Sequence, residues 1–446
     1  MLKVTSTDTP PNSSSPSVWP TVLCWIAVAL DGFDLVVLGA VIPTLSKTGD
    51  LGFTDASLTT ASTLGLVGVS LGAMATGPLT DRWGRRRTLL GSIALFSAAT
   101  LADGFAPTMT AFIVLRFVAG VGLGACLPTS LAFISEHARD GKNATAVTTA
   151  MTGNHAGAIL TALLALVLVP KLGWRSMFVT GGLLGTALLP LLWAKLPEPE
   201  THLAAGRQRE TSPAPARRYR ADVLRGTNLI TSLALWVASF MGLLLVFGLN
   251  TWLPRIMGQA GYSIQAGTGL LLVLNIGAVI GLIVAGRVSD HTGQHKTTTL
   301  VWFAVAAALL ALLSIRLQSQ VLVFCAVLIT GIFVFSAQVL VYAWTTQLYP
   351  PELRATALGL TAGIGRLGAI LGPYLLGTLV TAGIAYPWGF YTLACAAAIA
   401  VLALSPISVH RKPTVHGQQR PCRAPERSTS LRSPGEHQLT RERLRK

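Results

Sequence analysis

The sequence predicts an all-α polytopic membrane protein, with twelve transmembrane helices in two pseudo-symmetric six-helix bundles. Three observations carry that prediction. Only 12% of the 446 residues are charged while 51% are hydrophobic, against about a quarter charged in an ordinary soluble domain. Apolar runs long enough to cross a hydrocarbon core of about 30 Å recur along the whole chain. Short motifs from the first half return in the second at offsets of 209 and 211 residues.

The runs fall at 19–45, 58–79, 88–105, 110–134, 145–170 and 175–194, then at 227–253, 264–286, 297–315, 320–345, 355–381 and 386–405. The first is long and carries acidic residues, unlike a signal peptide, so it is expected to stay in the mature protein. It holds "ALDGFDLVVLGAVIP", with Asp31 and Asp34 three residues apart. The second run leads into "DRWGRRR". The fourth carries Arg116 and "GVGLG", where Gly120, Gly122 and Gly124 permit close helix approach. No strand precedes those glycines, so they do not read as a nucleotide loop. The fifth run carries His155 and the eleventh Arg366.

Charge orients the runs. Arg82, Arg85, Arg86 and Arg87 follow the second, and Arg139 and Lys142 follow the fourth. Six arginines lie between the halves, from Arg207 to Arg225, and the end of the chain holds ten Lys or Arg against three Glu. The alternate loops are poor in basic residues, which puts both termini in the cytoplasm. The expected divisions are a cytoplasmic segment 1–18, a bundle 19–195, a cytoplasmic linker 196–226, a bundle 227–405 and a basic cytoplasmic tail 406–446. The net charge of +16 therefore belongs to membrane loops, and nucleic acid is not an expected partner. Five scattered cysteines without C-x-x-C spacing indicate neither a metal site nor a disulfide framework.

The repeat is specific in place. "GPLTDRWGRRR" at 77–87 aligns with "GRVSDHTGQHK" at 286–296, matching Gly77 to Gly286, Asp81 to Asp290, Gly84 to Gly293 and Arg87 to Lys296. "NATAV" at 143–147 aligns with "RATAL" at 354–358, and "GAIL" at 157–160 with "GAIL" at 368–371. Six helices per copy keep the halves parallel, and the binding site is expected between them. In the first loop a carboxylate at Asp81 can cap a helix or pair with an arginine, and Gly84 allows a tight turn. Gly77, Asp81, Arg82, Gly84, Arg85, Arg87 and Asp290 are the candidates for a conformational switch.

"GPLTDRWGRRR" resembles the loop 2–3 signature of the major facilitator superfamily, and the resemblance covers essentially 19–405. The second copy departs from it at His291, Gln294 and His295. "LDGFDLVVLGAVIP", "RFVAGVGLGACLPTSLAFISEH", "TWLPRIMGQAGYS" and "RATALGLTAGIGRLGAILGP" resemble the aromatic acid:proton symporters, benzoate and 4-hydroxybenzoate transporters among them. That likeness implies the major facilitator fold and proton-driven uptake of a small aromatic carboxylate across the bacterial cytoplasmic (inner) membrane. It implies no cofactor, and function as a monomer among membrane lipid. The family residues that matter for transport map onto Asp31, Asp34, Arg116, Glu136 and Arg366, with Glu136 grouped with the aspartates in proton coupling. Pro128-Thr129 stands where family motifs often have Pro-Asn.

The deep ionisable residues say something similar on physical grounds. Asp31, Asp34, Arg116, His155 and Arg366 must face protein or a wet cavity, not lipid. Asp31 and Asp34 share one face of a helix, so one of them is expected to hold a proton near neutral pH. Arg366, flanked by small residues, is the candidate clamp for a substrate carboxylate, with Arg116 supporting the first helix or standing in as a second binding residue. At the 211 offset His155 corresponds to Arg366 and becomes a further cavity candidate. An aromatic acid needs an apolar slot, for which Phe33, Phe247, Trp252 and Tyr342 are candidates. Other readings are a carrier of other organic acids, a drug exporter, or a membrane sensor of aromatic acids. A membrane enzyme would need a catalytic cluster at one face, which the sequence does not offer.

Overall fold

A backbone in hydrocarbon has no water to bond, so a spanning segment must satisfy its own N–H and C=O groups. The computed structural model describes residues 19–48, 52–53, 55–139, 141–196, 227–262, 264–316 and 318–407, and each apolar run is a helix. In the first half these are α1 (Trp19–Thr48), α2 (Asp55–Trp83), α3 (Arg85–Asp103), α4 (Met109–His137), α5 (Asn143–Leu172) and α6 (Arg175–Lys195). In the second they are α7 (Thr227–Gln259), α8 (Ile264–Thr292), α9 (His295–Leu313), α10 (Gln320–Leu348), α11 (Pro351–Thr381) and α12 (Ala385–Leu404). Segments 1–18, 197–226 and 408–446, which hold the expected N-terminal segment, linker and tail, lie outside the described residues.

Eleven of the helices are long and apolar enough to cross a membrane by composition. The exception, α3, is opened by three arginines and closed by Asp103, which shortens its apolar stretch. "TWLPRIM", expected after the seventh span, instead forms the end of α7, which runs through Pro254 to Gln259. Gly84 alone separates α2 from α3, with φ of 81°. Gly293, its counterpart between α8 and α9, has φ of 63°. That left-handed backbone is cheap only for glycine.

The repeat in sequence is a repeat in packing. α1 packs on α5 as α7 does on α11, α2 on α4 as α8 on α10, and α3 on α6 as α9 on α12. The halves meet along α2–α11 and α5–α8, which are one contact seen twice. Close approach depends on glycine. A Cβ on Gly72 or Gly124 would stand 2.0 Å from a backbone carbonyl of the facing helix, α4 or α2 respectively. Gly281 of α8 meets the Ile332 carbonyl of α10 in the same way, at 2.1 Å. Apolar cores fill both halves, and at one end of the first half Phe53, Phe112, Trp174 and Phe178 stack edge to face.

Candidate functional site

Four of the five buried charges among the described residues, Asp31, Asp103, Arg116 and Arg366, lie where α1, α3, α4, α5 and α11 approach one another. α1 and α5 touch backbone to backbone: a Cβ on Gly32 would lie 1.9 Å from the Asn154 carbonyl, and one on Gly157 1.8 Å from that of Ala29. This contact brings Asn154 beside Asp31, and its Nδ2 donates to Asp31 Oδ2 at 3.0 Å. The same Oδ2 accepts from Arg366 Nη2 of α11 at 3.4 Å, an ion pair that joins the two halves. Asp31 Oδ1 is buried with no hydrogen-bond partner among the described residues.

Asp34, one turn on, goes elsewhere. It accepts from Arg116 Nη1 of α4 at 2.8 Å, while Arg116 Nε donates to Asp103 Oδ2 at 2.6 Å and Nη2 to Thr100 Oγ1 at 3.3 Å. The Arg116 guanidinium also lies 4.9 Å from the Phe178 ring centroid. Both arginines are buried, yet their situations differ. Arg116 is occupied on every nitrogen. Arg366 has one hydrogen-bond partner among the described residues, through one nitrogen, at a long distance. A guanidinium has five N–H donors, and a buried one left short of acceptors is costly. The two aspartates, expected to crowd each other, are thus divided between two arginines on different helices.

A family model described as Major Facilitator Superfamily matches residues 24–373 and, in a second match, 337–443. The chain belongs to the major facilitator superfamily. A gallate transporter of Pseudomonas putida is 33% identical over 88% of this chain and 93% of its own. A gentisate transporter of Corynebacterium glutamicum is 34% identical over 85% of each chain. A benzoate transport protein of Acinetobacter baylyi is 30% identical over 89% of this chain and 91% of its own. Among solved structures, the proton:xylose symporter XylE superposes with a TM-score of 0.72 at 15% identity, covering 89% of this chain and 97% of that one. This last likeness is one of fold. The protein is a transporter and not an enzyme.

Within this facilitator the other candidates fall in distinct places. His155 is partly buried on α5, with its ring 5.8 Å from that of Phe335 on α10 across the halves. Its neighbours have other partners, since Asn154 serves Asp31 and Thr152 accepts from Trp25. Tyr342 is buried on α10 within electrostatic range of Arg366 and Asp31. Phe247 is partly buried on α7. Two aromatic candidates have other surroundings. Phe33 is fully buried in the core of the first half, its ring against Gly181 of α6. Trp252 donates to the Pro373 carbonyl at 2.7 Å and lies under Arg255, so its polar edge fastens α7 to α11.

Glu136 lies apart from this cluster. It ends α4, twenty residues from Arg116, or roughly 30 Å along a helix, and it pairs with Arg85 at the start of α3. Arg85 also donates to the Pro351 carbonyl that opens α11 in the other half. At this same end Asp290 accepts from the Ala144 and Thr145 backbone N–H groups at 2.9 and 2.6 Å, capping α5 across the halves. Asn143 joins in, donating to the Ser135 carbonyl and accepting from Thr346 of α10. Gly77 abuts Thr356, and Gly286 abuts Thr145 and Thr148. Arg82 and Arg87 are exposed, and the Asp81 side chain lies outside the described residues. Of the second copy's basic positions, Lys296 caps α12 by donating to the Ser405 and Ile407 carbonyls, both at 2.7 Å.

Sequence reasoning did not anticipate Asn154 as the partner of Asp31, Asp103 as the partner of Arg116, or Asn143 as a cross-half link. It also passed over the buried Gln338 and Ser239, which bond to each other between α10 and α7. Asn154, Gln338 and Ser239 stand as polar residues in apolar runs, a signal given weight only for ionisable groups, while Asp103 lies at the end of its run and Asn143 just before its own.

Proposed function

We propose that the chain imports a small aromatic carboxylate together with a proton, by alternating access, across the cytoplasmic membrane with both termini in the cytoplasm. The relatives named above support the substrate class, and the spare donors of Arg366 support its mode of binding. In the empty site Asp31 holds Arg366. An incoming carboxylate competes for that guanidinium and can form the bidentate pair that Asp31 does not form. Once displaced, Asp31 is a buried charge without its counter-ion, and a proton removes that cost. Proton and substrate thus bind together because each makes room for the other. The Asp31–Arg366 pair joins the halves, so its exchange for substrate is felt by both.

Arg116, with Asp34, Asp103 and Thr100 around it, orients α1 without contacting substrate. No cofactor enters the cycle, whose driving force is the proton gradient. The test is uptake of labelled benzoate or hydroxybenzoate into proteoliposomes under an imposed pH gradient. Wild type should accumulate it, and Asp31→Asn should bind it without accumulating it. Accumulation of an aliphatic dicarboxylate in preference to any aromatic acid would replace this reading by that of another organic acid carrier.

A further inference from the structure

We propose that Gln338, with Ser239 and Tyr342, forms a second polar station that recognises a hydroxyl on the substrate ring and sets the discrimination between hydroxylated and unsubstituted aromatic carboxylates. This inference rests on the transport reading above and assigns the specificity within it. The station adjoins the carboxylate clamp. Gly365, next to Arg366, lets Ser239 of α7 stand so close that a Cβ there would lie 2.3 Å from its Oγ. Gln338 Nε2 of α10 donates to that Oγ at 3.1 Å. Tyr342, one turn further on α10, lies beside both and within electrostatic range of Arg366 and Asp31. The four groups therefore form one continuous polar strip on α7, α10 and α11.

The strip is incomplete in a particular way. Gln338 is 2% exposed and its Oε1 is buried with no hydrogen-bond partner among the described residues. Gly242 of α7 leaves the space for it, since a Cβ there would lie 2.0 Å from Oε1. A buried amide oxygen without a donor is expensive to maintain. A merely structural glutamine could be replaced by an apolar side chain of similar size at little cost. A phenolic hydroxyl donates one proton, which an amide oxygen accepts, whereas a methoxy group has none to donate. Gln338 and Tyr342 are four residues apart, about 6 Å along the helix.

The experiment is equilibrium binding to the purified full chain of benzoate, the three hydroxybenzoate isomers and their methoxy ethers. Wild type should bind at least one hydroxylated isomer roughly tenfold more tightly than both benzoate and its own methoxy ether. In Gln338→Leu that ratio should fall towards one. Gly242→Ala, which pushes the amide aside while keeping it, should reduce the ratio as well and serves if Gln338→Leu does not fold. A wild type with no such preference, or a preference that survives in either variant, overturns the station and leaves the transport reading standing. A wild type that binds no aromatic acid at all overturns both.

Discussion

Arg116 and Arg366 test how far a residue's role can be read from its neighbours. Arg366→Lys keeps the charge but loses the planar fork, so benzoate affinity should fall roughly tenfold, about 1.4 kcal/mol. Arg366→Ala should lose more, and neutral benzamide should compete poorly against wild type. Arg116→Lys should act differently, since its partners are Asp34, Asp103 and Thr100. It should lower the thermal midpoint of the purified protein while the surviving folded fraction binds benzoate with near-normal affinity. Calorimetry and a thermal unfolding assay on the same preparations separate the two. If Arg366→Ala binds as wild type does, the clamp lies elsewhere, with His155 next in line. The ionisable members of this site were legible in the sequence, because a charge in an apolar run announces itself. Their pairing was not. Asp31 and Asp34 share a face of α1, yet α5 and α11 claim one and α4 the other. Only helix packing decides that. Whether Phe33 lies in a cleft or in a core was likewise not legible, since period alone does not distinguish the two.

At the scale of the helix, the site depends on backbones that nearly touch. Gly32 sits between Asp31 and Phe33, and any side chain there must push α5 away from α1. Gly32→Ala should therefore weaken the Asn154–Asp31 hydrogen bond and cost stability by overpacking, typically 1–3 kcal/mol. Gly157→Ala should do the same one turn away. Gly91→Ala is the control, because nothing stands within 4 Å of a Cβ there, and in a helix the change should be neutral or slightly stabilising. Thermal midpoints in one detergent rank the three, and equal midpoints would contradict the close packing. The helices themselves were plain in the sequence to within a few residues, as apolar runs of spanning length must be. The small-residue spacing in "GVGLG" was plain as well, with Gly120 and Gly124 turned to α2 and Gly122 to α3. α7 continues beyond the apolar run 227–253, through Pro254 to Gln259. The pairing of Asn154 with Asp31 was not legible, because a helix sequence does not say which of its faces meets α1.

For the whole molecule, the duplication visible as three short matches became a packing scheme in which each helix pair of one half has its counterpart in the other. The loop 2–3 end is where that scheme closes, with Asp290 capping α5 and Arg85 reaching Pro351 across the halves. Asp290→Asn removes the charge facing those two N–H groups and should shift the balance towards opening at this end by about tenfold, for about 1.4 kcal/mol of lost capping. A cysteine placed at the buried Thr148 should then react faster with a bulky thiol reagent, and an unchanged rate would show that the cap is not part of the closure. Proton stoichiometry follows from the same whole-molecule view. In the proposed cycle the Arg116 group keeps its partners in the empty and loaded states, so its protons cancel. What changes is Arg366, which exchanges Asp31 for the substrate carboxylate and leaves one carboxylate to neutralise. Binding an aromatic anion should therefore take up one proton. The dissociation constant should rise tenfold per pH unit wherever Asp31 is ionised in the empty protein, and level off at pH low enough to protonate it beforehand. One anion with one proton carries no net charge, so uptake should follow the pH gradient and ignore an imposed membrane potential, which is worth about 2.3 kcal/mol per charge at 100 mV. Proteoliposomes clamped with potassium and valinomycin measure this directly. A current inward with substrate, or a slope of two in the pH dependence, would mean that a second group joins the cycle, and His155 facing Phe335 across the halves is the one placed to do so.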